Sequence, residues 1–185
     1  ISSDLNGPLV ESFQDRYVYC INFVDAYSGW ISTYGLTEKS GLEVAKALAR
    51  FLADTSNFGE VKHFLTDDGN EFRNKFVAEL LMQRGIGHTY GMGYAHSNAR
   101  AERAWAILNP MVRSMFGSAN LEYKHWPAAY RQAAYVYNIT PRQYSHLATE
   151  DEPKGPWYTP YYLCKGVHPT AAQLLTWGCE MFARV

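Results

Sequence analysis

Three acidic residues stand in local sequences that fit metal-assisted phosphodiester chemistry. Asp4 opens the stretch D-L-N-G-P, Asp67 follows V-K-H-F-L-T, and Glu102 lies in H-S-N-A-R-A-E-R. Clustered carboxylates repel one another unless divalent cations neutralise them, and Mg²⁺ prefers hard oxygen ligands. Two such ions can activate the attacking oxygen and stabilise the leaving oxygen of an in-line phosphoryl displacement. The alternative is three ordinary surface acids, with Asp-Gly only marking a turn.

Alternating strands and helices are predicted around these acids. An apolar run over 17–24 predicts a central strand covered on both faces, and 30–36 can return antiparallel to it. An amphipathic helix over 39–54 follows, with Leu42, Ala45, Leu48, Ala49 and Leu52 at helical spacing. Then come a short strand over 61–66 that ends at Asp67, a helix marked by Phe72, Phe76 and Leu80 that Gly85 can terminate, and a strand over 86–90.

Glu102 belongs to the first turns of a further helix. Its apolar residues recur at spacings of three and four: Ala101, Trp105, Leu108, Val112 and Met115. Pro110 conflicts with a continuous helix, since it removes the hydrogen bond to the carbonyl of Ala106. Either the helix kinks there, which we favour, or it ends near Leu108 and restarts with Asn109 as its N-cap. Another helix is predicted over 125–138.

The order of elements predicts an α/β fold, a mixed sheet flanked by helices. In such sheets, site residues gather at strand ends and helix starts, so we expect Asp4 and Asp67 at strand ends and Glu102 facing them from a helix. Four prolines and three acids over 141–160 indicate an extended surface segment. We therefore divide the chain into a core, 1–140, and an extension, 141–185, with a short terminal strand.

Composition narrows the class of protein further. The 185 residues with 47% apolar content suffice for one domain, and three widely spaced cysteines indicate neither a disulfide framework nor a zinc site. A net charge of −1 gives no global basic field for nucleic acid, so any DNA contact must be local. The sequence has no signal peptide or membrane span, and a soluble, intracellular protein is expected.

Seven motifs in the same order resemble the integrase catalytic core of copia-type (Pseudoviridae-like) LTR retrotransposons and, more distantly, retroviral integrases. The first three are D-L-N-G-P, F-V-D-A-Y-S-G-W and T-D-D-G-N-E-F. They continue with S-N-A-R-A-E-R followed by V-R-S-M, then H-W-P-A-A-Y-R-Q-A-A-Y-V-Y-N, T-P-Y-Y-L-C-K-G-V-H-P and W-G-C-E-M-F-A-R-V. The resemblance covers essentially the whole chain.

The resemblance implies a ribonuclease H-like, mixed five-stranded sheet and a Mg²⁺-dependent polynucleotidyl transferase encoded in a Pol polyprotein. Its DDE motif would be Asp4, Asp67 and Glu102, which would hold two Mg²⁺ or Mn²⁺ ions, Asp4 and Asp67 sharing one and Asp4 and Glu102 the other. The partners implied are element-end DNA, target DNA and further copies of the chain, with no membrane. The implied location is the nucleus or a cytoplasmic virus-like particle.

Departures from the family pattern supply a second hypothesis. The 34 residues between Asp67 and Glu102 are one fewer than in retroviral integrases, and Trp105 and Ala106 replace an Asn and a basic residue. We expect these two replacements to leave fewer DNA-facing polar and basic side chains along this helix. Arg100, Arg103 and Arg113 remain as candidate phosphate contacts. With three residues before Asp4, the central strand should be nearly absent and the core N-terminally truncated. A decayed or domesticated module that binds nucleic acid or protein without catalysis is therefore the alternative.

Overall fold

A mixed five-stranded sheet forms the centre of the protein. A computed structural model describes residues 1–91, 99–171, 174, 177 and 178. The strands are β1 (Ser2–Asn6), β2 (Tyr19–Val24), β3 (Ile31–Leu36), β4 (His63–Thr66) and β5 (Gly87–Tyr90), in the order β3-β2-β1-β4-β5. β2 runs antiparallel to both β1 and β3, whereas β1, β4 and β5 are mutually parallel. The predicted hairpin and mixed sheet are confirmed.

Helices cover both faces of this sheet. They are α1 (Gly41–Asp54), α2 (Lys75–Gln83), α3 (Ala99–Ala119), α4 (Trp126–Ile139) and the short α5 (Pro160–Lys165). Along β2, Ile21 and Phe23 belong to the core under α1 and α2, while Cys20 and Val24 belong to the core under α3 and α4. Because successive side chains of a strand alternate between faces, β2 is buried on both sides, as its apolar run predicted.

The first strand corrects an expectation from the sequence. The prediction of a nearly absent strand around Asp4 was wrong, because all five residues of β1 pair with β2 and its first residue also pairs with β4. Asp4 lies in the middle of this central strand rather than at its end. A short strand is enough here because neighbouring strands supply pairing partners on both sides.

The inward faces of the first two helices also differ from those predicted. In α1 the buried set is Val44, Ala45, Ala47, Leu48 and Phe51, and in α2 it is Val77 and Leu81. Leu42 and Phe76, both expected inside, are exposed. Apolar residues lie on more than one side of each helix, so their spacing alone does not identify the buried side. Packing against the sheet determines which side is buried. The predicted end of α2 is confirmed, because Gly85 follows the C-cap with φ +65°.

The helix that carries Glu102 continues past Pro110. α3 runs from Ala99 to Ala119 with the proline inside it, so the alternative in which the helix ends near Leu108 and restarts is wrong. Asn109 is therefore no N-cap; its side chain accepts a hydrogen bond from Tyr130 Oη at 2.7 Å. The buried residues of α3 include four of the five predicted, with Met115 packed at the margin.

The segment after α4 is more structured than the extended surface strip predicted. β6 (Arg142–Gln143) pairs antiparallel with β7 (Trp157–Tyr158). Tyr144 is buried, and its hydroxyl donates to the carbonyl of Ser28 at 2.6 Å, which fastens this segment to the β2–β3 turn. The predicted terminal strand lies outside the described residues. Among the helices of the described ranges, none has the length and apolarity required to span a membrane.

Candidate active site

Asp4 is held by one hydrogen bond from its backbone N–H and one to its side-chain carboxylate. It lies on β1 directly opposite Asn22 of β2. The Asp4 backbone N–H donates to Asn22 Oδ1 at 3.0 Å, and Asp4 Oδ1 accepts from the N–H of Leu5 at 2.9 Å. The carboxylate is half-buried. The strand thus gives Asp4 a fixed position on the face that α3 covers.

Asp67 immediately follows β4, as predicted. Its Oδ1 accepts from the N–H of Gly69 at 3.1 Å, and its carbonyl accepts from Thr66 Oγ1 at 2.8 Å. The neighbouring Asp68 instead pairs with Arg73 at 2.9 Å, with both side chains more than half exposed. The two adjacent acids therefore have different surroundings, and Asp68 is engaged by an arginine.

Glu102 lies in the first turn of α3 and is exposed. The residue before it, Ala101, is fully buried, and its carbonyl accepts from Asn22 Nδ2 at 2.9 Å. A carboxylate near a helix N-terminus is favoured by the helix dipole. At the start of α3, Glu102 is therefore exposed to solvent, while the buried side of the helix is hydrogen-bonded to β2 through Ala101.

The charges of Asp67 and Glu102 act on the carboxylate of Asp4. Burial is the largest cause of a pKa raised to about 6, and the negative charges of Asp67 and Glu102 raise it further. The hydrogen bond from Leu5 and the positive charge of Lys39 act in the opposite direction. The fold therefore brings the three acids predicted from the sequence near enough for each charge to affect Asp4.

The oxygen donors suit a hard divalent cation, but they do not form a closed ligand set. Within residues 1–91, 99–171, 174, 177 and 178, no group of three His, Cys, Asp or Glu side chains is close enough to hold a metal. Like charges repel, and only a cation would favour drawing these acids together. Asp4, Asp67 and Glu102 thus offer suitable donor atoms, and their side chains would have to turn toward one another to hold an ion.

Lys39 and Glu71 form an ion pair beside these acids that the sequence did not reveal. Lys39 Nζ lies 3.0 Å from Glu71 Oε1, and only 9% of the Glu71 side chain is exposed. This pair raises the pKa of Lys39, and the charge of Asp67 contributes as well. The only sequence feature that could have pointed to Glu71 is its place before the buried Phe72 in D-G-N-E-F. No sequence feature pointed to Lys39.

The three arginines proposed as phosphate contacts are all exposed. Arg100 and Arg103 line one depression with Asp25 and Tyr137, beside the β2–β3 turn. Arg113 lies about 15 Å further along the helix axis, at 1.5 Å per residue, and its Nε contacts the carbonyl of Asn109 at 3.4 Å. Their side chains are available to solvent but are spread along α3.

Trp105, which stands where the family pattern has an asparagine, faces the core. It is 7% exposed and packs edge-on against Tyr130, with ring centroids 5.6 Å apart. The exposed residue at this turn is Ala106. Position 105 faces the core because it shares the inner side of α3 with Ala101 and Leu108.

The chain is similar to known proteins over most of its length. The family model for the integrase core domain matches residues 4–96. A Retrovirus-related Pol polyprotein from transposon RE2 of Arabidopsis thaliana is 23% identical over 169 residues, which is 91% of this chain and 11% of the relative. The corresponding polyprotein from transposon 412 of Drosophila melanogaster is 25% identical over 138 residues, 74% of this chain and 11% of that relative. The chain thus spans about a tenth of the curated relatives that it matches.

Two solved structures share the fold. The catalytic core domain of BIV integrase has a TM-score of 0.63 and 21% identity, with 88% of this chain and 91% of that chain covered. A chain of the simian T-cell lymphotropic virus intasome, in complex with PP2A regulatory subunit B56 gamma, has a TM-score of 0.65 and 20% identity, with 95% and 58% covered. The mixed sheet is ribonuclease H-like, as predicted. The chain belongs to the integrase core domain family.

Proposed function

We propose that this domain is the catalytic core of a copia-type retrotransposon integrase, a metal-dependent polynucleotidyl transferase that joins element 3′ ends to target DNA. The observation that supports it best is the proximity of the three acids: burial is the main cause of the raised pKa of Asp4, and the charges of Asp67 and Glu102 add to it. The motif order and the family match add to this support. Like the Pol polyproteins it resembles, the domain would act within a larger protein.

The reaction needs no energy source because one phosphodiester replaces another. The oxygen of an element 3′ hydroxyl forms a bond to a target phosphorus, and the bond from that phosphorus to the target 3′ oxygen breaks. The attacking hydroxyl loses its proton to solvent, and the leaving oxygen takes one up. When bound, Mg²⁺ or Mn²⁺ would increase the nucleophilicity of the attacking oxygen and neutralise charge on the leaving one.

The residues of this chain would position the metal and the DNA. Asp4, Asp67 and Glu102 would be the ligands, with Asp4 shared between two ions. Arg100, Arg103 and Arg113 would contact phosphates, and element-end DNA and target DNA would be bound by a homo-oligomer. We propose that residues 1–140 form the core and 141–185 its extension. The location proposed is the nucleus or a cytoplasmic virus-like particle.

A strand-transfer assay tests the catalytic proposal. A labelled duplex with a free 3′ hydroxyl is mixed with supercoiled plasmid and Mg²⁺ or Mn²⁺, and joined products are counted separately from merely cut DNA. Asp67→Asn and Glu102→Gln should reduce joining to background, while the matched Asp68→Asn should retain it. Joining that survives both of the first two changes contradicts the proposal, and cutting without joining favours a simple nuclease.

The proposed arginine contacts have their own test. Phosphate contacts release counterions, so binding to duplex DNA should weaken as salt is raised. Each of Arg100→Ala, Arg103→Ala and Arg113→Ala should reduce the slope of log affinity against log salt by about one. Slopes equal to that of the unmodified chain would show that these arginines are solvated surface charges only.

A further inference from the structure

The side chain of Asn22 joins the two elements that carry Asp4 and Glu102. It is 0% exposed, and its two polar atoms point to different elements. Oδ1 accepts from the Asp4 N–H at 3.0 Å, and Nδ2 donates to the carbonyl of Ala101 at 2.9 Å. One of these backbone groups belongs to Asp4 itself, and the other belongs to the residue before Glu102.

We infer that Asn22 is a positioning residue that fixes the start of α3 against β1, and thereby sets the separation of Asp4 from Glu102. This inference rests on the proposed function. The amide group is planar and rigid, so its two hydrogen bonds define one distance between strand and helix. The net contribution of each bond to stability is small, but the geometry that the two bonds impose is specific.

The residue type at this position fits that role. An apolar side chain could fill the space between β2 and α3, but it could not bond to either backbone group. An aspartate could accept from Asp4 but could not donate to the carbonyl of Ala101, and it would add a fourth negative charge beside three acids. Only an uncharged group with a donor and an acceptor serves both contacts without increasing the repulsion.

Asn138 shows what a purely structural asparagine does in the same protein. It is 2% exposed, its Oδ1 accepts from the N–H of Ile31 at 2.9 Å, and its Nδ2 donates to the carbonyl of Ile31 at 2.8 Å. It thus joins α4 to β3, and neither of its partners adjoins a candidate ligand. Asn22 and Asn138 match in type, burial and number of backbone hydrogen bonds, and they differ in what they attach.

This match defines the experiment. Asn22→Leu and Asn138→Leu each remove two buried hydrogen bonds and should destabilise the fold similarly, which denaturant unfolding measures. Mn²⁺ binding is then measured by calorimetry at a temperature where circular dichroism shows each variant folded. We expect Asn22→Leu to lower Mn²⁺ affinity by about tenfold or more, as loss of a group that orients metal ligands does, and Asn138→Leu to change it less than twofold.

A smaller substitution covers the case in which Asn22→Leu does not fold. Asn22→Thr suits a strand and can bond to only one of the two backbone groups, so it should give an intermediate loss of affinity. Undiminished Mn²⁺ binding in the folded Asn22 variants, or an equal loss in Asn138→Leu, would overturn the positioning role alone. An unmodified chain that binds no Mn²⁺, or binds it equally after Asp67→Asn, would overturn the proposed function as well.

Discussion

Lys39 Nζ lies 3.0 Å from the buried carboxylate of Glu71, so a cation from the β3–α1 loop is paired with an acid from the loop after Asp67. The pair brings the two loops together on the side of the sheet where Asp4 and Asp67 lie. Its position explains why Lys39 affects Asp4, whose pKa it lowers against the stronger effects of burial and neighbouring acids.

Removing only the cation of this pair should be costly. Lys39→Met leaves the Glu71 carboxylate buried without its partner, and we expect a loss of about 1–3 kcal/mol in the free energy of unfolding. Lys39→Met combined with Glu71→Gln should lose less than the sum of the two single changes, because no unpaired charge remains. Urea denaturation of all four proteins measures the difference, and strict additivity would show that the ion pair contributes nothing.

The raised pKa of Asp4 predicts a pH-dependent stability. The native state binds the Asp4 proton more tightly than the unfolded chain does, so native stability falls as pH rises from about 4 to about 6. Asp4→Asn removes this loss, and after allowance for solvent screening it should be more stable above pH 6 by about 1 kcal/mol. The two proteins should be equally stable near pH 4.

His88 has the opposite effect on the pH dependence of stability. Burial lowers its pKa to about 4, so native stability falls as pH drops through the range from 6.5 to 4. This effect is present both with and without Asp4→Asn, so the difference between their urea unfolding curves isolates Asp4. A difference that does not change between pH 4 and pH 7 would contradict the raised pKa.

Metal binding should depend on the same proton. A metal ligand must be deprotonated, so the proton on Asp4 competes with Mn²⁺ below pH 6. We expect the apparent Mn²⁺ affinity to rise by up to about tenfold per pH unit below pH 6 and to level off above it, as one released proton requires. Calorimetry in two buffers of different ionisation enthalpy counts that proton. No proton release at pH 5.5 would remove Asp4 from the ligand set.

The hydroxyl of Tyr130 holds a second connection between β1 and α3. It donates to Asn109 Oδ1 at 2.7 Å and accepts from Asn6 Nδ2 at 2.9 Å. Tyr130→Phe should lower the free energy of unfolding by about 1–2 kcal/mol. Without the hydroxyl, the side-chain amides of Asn6 and Asn109 keep, among the described residues, only their contact with each other, at 3.4 Å. Tyr135→Phe on the exposed side of the same helix should stay within about 0.5 kcal/mol. Equal thermal denaturation midpoints in the two variants would show that this network is dispensable.

Two glycines should respond oppositely to alanine. Gly155 has φ +79°, and a Cβ there would collide with the carbonyl of Tyr144, so Gly155→Ala should destabilise the β6–β7 segment by about 1–3 kcal/mol. Gly117 lies inside α3 with open space around it, so Gly117→Ala should stabilise the protein by about 0.5–1 kcal/mol. Thermal denaturation measures both. A neutral Gly155→Ala would mean that the segment after α4 is not held as described.

The amino-acid sequence was sufficient for the order of elements, the mixed sheet and the three candidate carboxylates. Apolar runs and helical spacing are local properties, and the motifs around Asp4, Asp67 and Glu102 are contiguous, so both can be recognised along the chain. The inward sides of α1 and α2 could not be recognised in this way, because more than one side of each is apolar and only the sheet selects between them.

Tertiary structure alone decided how the site is supported. Asn22 bonds to Ala101, 79 positions further along the chain, and Glu71 pairs with Lys39 of another loop. No local sequence pattern marks either contact. The length of β1 was misjudged for the same reason, since its stability comes from neighbouring strands rather than from its own five residues. Local sequence thus specified which groups could do chemistry, and contacts between distant segments determined where those groups are held.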